Sequence, residues 1–108
     1  MMKKFILLAF LIIFTLNAVA QDNLIKKATE ISNEMTEVLS LTEEEKTMVY
    51  GIQLKRFKEV VSIRKKYKGD PETKKPELKK VFKRLFGKLK SALGKEKMQI
   101  WKKYKSNN

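Results

Sequence analysis

Seven apolar residues in the last third of this chain decide its fold class: Leu78, Val81, Phe82, Leu85, Phe86, Leu89 and Leu93. At 100° per residue they fall within about 140° of arc, so they line one side of a helix and alternate like no strand. Lys79, Lys80, Lys83, Arg84, Lys88 and Lys90 fill the other side. The same period recurs upstream. Leu24, Ala28, Ile31, Met35 and Val38 step by four, three, four and three, a second apolar stripe. The expectation is an all-α fold.

The breaks between stripes are short. Ser40-Leu41-Thr42 interrupts the first, and Thr42 with Glu45 three residues on is a capping box, with Leu41 as the apolar residue before the cap. Glu43 and Glu44 follow in the first turn, where the helix dipole favours carboxylates. A second helix is predicted from Glu43 to about Lys68, with an inner face of Val49 or Tyr50, Leu54, Phe57, Val60 or Val61, and Tyr67, flanked by Ile52 and Ile63. Gly69 is its expected terminating residue, and Asp70-Pro71 through Pro76 the expected break, because proline interrupts a helix interior. Gly87 lies inside the third stripe, where glycine costs about 1 kcal/mol relative to alanine. Gly94 ends that helix, and Glu96 to Lys105 forms a short fourth carrying Met98, Trp101 and Tyr104. The prediction is four amphipathic helices arranged as two αα-hairpins.

The amino terminus carries an address. Lys3-Lys4, an apolar run from Phe5 to Leu16 and Ala18-Val19-Ala20 before Gln21 are the three parts of a secretory signal peptide. The run is well short of the roughly 20 residues a membrane-spanning helix needs. Cleavage near Ala20-Gln21 leaves residues 21–108 as one small domain, periplasmic or secreted. The chain has neither Cys nor His, so disulfides, Cys/His zinc sites and a Ser–His pair are all excluded. Oligomerisation is the remaining inexpensive way to cover apolar faces in so small a domain. Glu43, Glu44 and Glu45 read as a helix start, not as a catalytic carboxylate pair, and no phosphate loop or metal-ligand cluster appears, so neither an enzyme nor a cofactor is expected.

Charge divides the mature chain. Residues 21–54 hold three lysines against seven acids, and residues 55–108 hold twenty Lys and Arg against five acids. That field attracts anionic partners. For an exported chain, acidic client proteins, anionic lipid or cell-wall polymer precede nucleic acid, for which no specific motif is present.

Leu41-Thr42-Glu43-Glu44-Glu45 and, 52 residues later, Leu93-Gly94-Lys95-Glu96-Lys97 each open a helix, and Val49 matches Trp101 at the same offset. A leucine, a threonine, two polar residues and a glutamine, twice, is the signature of the Spy/CpxP family of periplasmic stress proteins. The chain resembles that family through Leu41, Thr42 and Glu45 and through Leu93, Gly94 and Lys97, with Glu45 and Lys97 in place of glutamine and Gly94 in place of the second threonine. The stretches Ile52 to Phe57, Arg64 to Tyr67 and Met98 to Tyr104 resemble the family's later helices. The resemblance implies a thin homodimer, intertwined or antiparallel, whose hairpins form a curved cradle. It also implies either ATP-independent holding of unfolding clients or regulation of an envelope sensor kinase through its periplasmic domain.

A holding surface needs adaptable apolar contact and steering charge. Met35, Met48 and Met98 offer the first. Lys55, Arg56, Lys58, Arg64, Lys65, Lys79, Lys83 and Arg84 offer the second, with apolar stems beneath wet charges. The simplest role of each methionine is core, and of each lysine a solvated face. Phe57, Phe82, Phe86 and Trp101 are most simply core or dimer-interface residues, and become client surface wherever dimerisation leaves them on a concave side. Leu41 and Leu93 are structural hinges. The main alternative is a basic amphipathic protein lying on an anionic membrane, for which the third helix has the apolar stripe and flanking lysines.

Overall fold

The computed structural model describes the backbone of residues 2–108 and the side chains of residues 21–108. It is all-helical, with α1 (Met2–Leu39), α2 (Glu43–Lys66), α3 (Pro71–Leu93) and α4 (Lys95–Asn107). The apolar run Phe5 to Leu16 and the proposed cleavage residues Ala18-Val19-Ala20 lie outside the residues whose side chains are described. Among the described residues, no helix is long and apolar enough to cross a membrane.

The predicted breaks at Ser40-Leu41-Thr42 and at Gly94 are where α1 and α3 end. At the first, Ser40 takes a positive φ of 53°, and the Leu41 N–H donates to the Thr36 carbonyl at 3.2 Å. That is the six-to-one bond of a Schellman closure, with serine at the left-handed position glycine usually holds. Thr42 then caps α2. The Glu45 N–H donates to Thr42 Oγ1 and the Thr42 N–H donates to Glu45 Oε1, both at 3.1 Å, a complete capping box.

Two boundaries differ from expectation. α2 stops at Lys66, and its cap is Tyr67, whose N–H reaches the Ile63 carbonyl, so Gly69 does not end the helix through a positive φ. The proline break is also narrower than predicted. Pro71 sits at the start of α3, where its missing N–H is no loss, and Asp70 caps it by accepting from the Thr73 N–H at 3.1 Å. Pro76 lies inside the helix. It forfeits one bond to the carbonyl four residues back, in the first turns of the helix.

α2 lies between α1 and α3, and α4 touches both α1 and α3. The main core forms where the two leucine-led turns meet. It contains Met35 and Leu39 of α1, Leu41, Val49 of α2, Leu85, Leu89 and Leu93 of α3, and Met98 and Trp101 of α4. Along α3 toward the α2–α3 connection, Val81 is the last fully buried apolar residue, and α1 adds Leu24 and Ala28, buried outside the main core.

The inner face predicted for α2 is corrected by its two neighbours. Only Val49 and Gln53 are buried, while Leu54, Phe57, Val60, Val61, Ile63 and Tyr67 are half-buried. A helix packed on two sides divides its apolar surface between them and buries fully only the residues at the seam. There Gln53 Nε2 donates to Met35 Sδ at 3.7 Å, and Gln53 Oε1 accepts from Arg56 Nε and Nη2 at 3.1 and 2.9 Å. The polar side chain is thus satisfied inside the core, as burial requires.

Candidate functional site

The basic residues singled out in sequence come together on α2 and α3. Lys55, Lys58, Arg64, Lys65, Lys79, Lys83 and Arg84 are exposed, and Arg56 is half-buried. α2 and α3 pack along their apolar faces, so lysines that cannot enter the seam are driven to its rims. Arg56 occupies a special place. Its guanidinium lies 3.9 Å from the Phe57 ring centroid and 6.0 Å from that of Phe82, a cation held between aromatics of two helices. Burial pushes the Arg56 pKa down from its ordinary value, though an arginine remains charged.

Phe82 and Phe86 leave the core. Each is 44 % exposed, four residues apart on the outer side of α3, because the buried edge of that helix runs through Val81, Leu85, Leu89 and Leu93. The predicted stripe was wide enough to hold both edges, and α2 and α4 cover only one. Lys102 of α4 stands 5.8 Å from the Phe86 ring. Phe86, Gly87, Lys90, Met98, Lys95, Gln99 and Lys102 line an open groove between α3 and α4. A Cβ built on Gly87 meets nothing within 4 Å, so no close helix approach within this chain requires glycine there.

The other candidates separate. Met35 is fully buried and Met98 nearly so, while Met48 is exposed near the start of α2. Trp101 is buried and stacks on Tyr104 at a centroid distance of 5.5 Å, with Lys105 Nζ 5.2 Å from its ring. Leu41 and Leu93 are both in the core.

The two matched turns meet through their fifth residues. Lys97 Nζ lies 2.6 Å from Glu45 Oε2, an ion pair between α4 and α2. The Lys97 hydrogen bond, followed by the bond from the Thr42 backbone, holds the Glu45 carboxyl below its ordinary pKa. Lys105–Glu34 at 3.1 Å joins another acid of the first half to a cation of the second, and Arg84–Glu59 at 2.8 Å ties α3 to α2 within the second half.

Sequence reasoning passed over Lys88. It lines a shallow cleft between α2 and α3 with Lys55, Arg56, Glu59 and Arg84 above an apolar floor of Ile52, Val81 and Leu85. The neighbouring Lys55 amine pushes the Lys88 pKa down from its ordinary value. The available signal was Lys88 four residues beyond Arg84, which puts both on one side of a helix.

Comparison with known proteins finds no matching family, no matching characterised protein and no matching solved structure.

Proposed function

We propose that this chain is an exported, ATP-independent holdase or envelope-stress protein that binds unfolded or partly folded clients on the basic face of α2 and α3. The observation that carries the reading is the pair Phe82 and Phe86, exposed large apolar side chains with Lys79, Lys83 and Lys90 around them on the same helix. Apolar contact ringed by mobile cations suits clients that share no sequence but expose greasy and acidic segments. The matched turns support the Spy/CpxP resemblance, and with it two αα-hairpins per chain and a homodimer forming a cradle. The test is light scattering of an aggregating client mixed with the purified protein. Suppression at stoichiometric ratios, lost in a Phe82→Ser/Phe86→Ser double variant that keeps its helical signal, is the expected result. No suppression at any ratio excludes the holdase and leaves regulation of a sensor kinase as the remaining form of the proposal.

The same two phenylalanines favour a second reading, binding to an anionic membrane surface. Flotation with anionic vesicles that disappears as salt rises supports it, and absence of flotation at low salt removes it.

A further inference from the structure

We infer that the groove between α3 and α4 docks an acidic amphipathic helix of a partner protein, which seats an apolar side chain over Gly87, between Phe86 and Met98, and meets Lys90, Lys95 and Lys102 with its carboxylates. The inference rests on the proposed reading of Phe86 as contact surface and names the kind of segment that surface takes. Its first support is charge. Lys90, Lys95 and Lys102 are exposed and line the groove, and no carboxylate lines it, Glu96 of α4 included. Among the described residues none of these three lysines has a carboxylate in ion-pair contact, whereas Lys80, Arg84, Lys97 and Lys105 each have one. Three free cations around an apolar floor attract an anionic partner and repel a cationic one. Lys102 stands 5.8 Å from the Phe86 ring, a weak exposed cation–π contact that a carboxylate can outcompete.

Shape is the second support. The single-residue turn at Gly94 sets α4 beside the last turns of α3 and leaves a groove of about 350 Å³ between them. That is room for large side chains, at the small end of the roughly 300–1,000 Å³ usual for ligand pockets. The groove is open to solvent, so it does not enclose a small molecule, and a longer partner anchored by a side chain fits it better. The described residues offer no strand edge. A partner backbone lying over Phe86 and Met98 must therefore satisfy its own N–H and C=O groups, as a helix does. Gly87 is the third support. Glycine weakens a helix interior, and a Cβ at this position meets nothing within 4 Å, so no packing inside the chain requires it. In the groove its missing side chain leaves a notch beside Phe86 that an incoming leucine or phenylalanine can fill.

The test uses protein purified after expression of the full sequence, and fluorescence anisotropy of a labelled synthetic peptide. The probe has leucines at helical spacing on one side and glutamates flanking them. Its controls are the same composition scrambled to scatter the leucines, and the same pattern with lysine for every glutamate. The expected result is binding of the probe over both controls, weakened about tenfold or more by Gly87→Leu, which fills the notch, and by Lys95→Glu/Lys102→Glu, but less than about twofold by Lys75→Glu. Gly87→Leu should keep or raise the thermal midpoint, since it removes a helix glycine, so its loss of binding is separable from any loss of fold. Equal binding of the scrambled peptide, equal loss in Lys75→Glu, or no binding of the probe overturns the site. Absence of probe binding in a wild-type protein that self-associates, together with dissociation by Gly87→Leu in sedimentation, assigns the groove to a second copy and overturns the partner helix. Suppression of client aggregation without probe binding removes the groove and leaves the holdase standing, and probe binding without suppression does the reverse.

Discussion

The turn that joins α1 to α2 and the turn that joins α3 to α4 start from the same leucine and are built by different physics. The first spends three residues. Ser40 reverses the chain at a positive φ, Leu41 drops into the core, and Thr42 caps α2 reciprocally with Glu45. The second spends one residue. Gly94, at φ 93° and ψ 163°, both ends α3 and begins α4, and α4 has no side-chain cap. That conformation belongs essentially to glycine. What the second turn lacks in capping it recovers from outside, through Lys97 bonded to Glu45 and through Trp101 buried where the first half has Val49. Matched positions in a sequence therefore need not carry matched interactions, since one copy can lean on the other.

The largest break in that comparison is at the matched pair Val49 and Trp101. Trp101→Ala should cost about 3–5 kcal/mol of unfolding free energy, and Val49→Ala about 2 kcal/mol, both measured by urea denaturation. Equal losses would mean that α4 is not anchored through its tryptophan. Next come the two backbone reversals. Gly94→Thr, which restores the threonine of the first copy, should destabilise by about 1–3 kcal/mol. A Cβ at Gly94 meets no neighbour, so the cost is backbone strain alone. Ser40→Gly should act in the opposite direction, gaining up to about 1 kcal/mol by relieving the left-handed serine.

The shared ion pair is sharpened by pH. Glu45 and Asp70 both have pKa values lowered in the fold, Glu45 first by Lys97 and Asp70 first by the Thr73 hydrogen bond. A carboxyl with a depressed folded pKa contributes stability above its unfolded pKa and loses it as pH falls through the folded value. Stability should therefore decline as pH drops below Glu45's ordinary 4.5. In Lys97→Ala, NMR titration should find the Glu45 pKa moved back up toward that value while Asp70 stays put. The smallest expected effect is at Gly87, where alanine should stabilise α3 by about 0.5–1 kcal/mol. If Gly87→Ala instead weakens self-association in sedimentation, a second copy packs against that glycine.

Period and capping were legible in the sequence because both are local. The stripe of α1 and the Thr42–Glu45 box needed no knowledge of neighbours, and both are in place. The serine reversal at Ser40 was hidden because its partners are a backbone carbonyl and the burial of Leu41, neither of which has a residue signature. Gln53 was hidden for a related reason. A polar residue becomes core only when Met35 reaches it from α1 while Arg56, one turn on in the same helix, satisfies its oxygen. Phe82 and Phe86 show the limit of a helical wheel. It marks which side is apolar, but only the placement of α2 and α4 decides which edge is covered. The cationic candidates were readable as a group, whereas which of them share the α2–α3 cleft with Lys88 depends on the register between the two helices.

Most of the sequestered apolar residues gather at the end where both leucine turns meet, with Leu24 and Ala28 of α1 buried outside that cluster, and past Val81 the arms of α2 and α3 are held mainly by half-covered side chains. Such a molecule does not loosen evenly. Its tip can fray and re-form while the tryptophan end stays closed, since opening the tip surrenders little sheltered hydrocarbon.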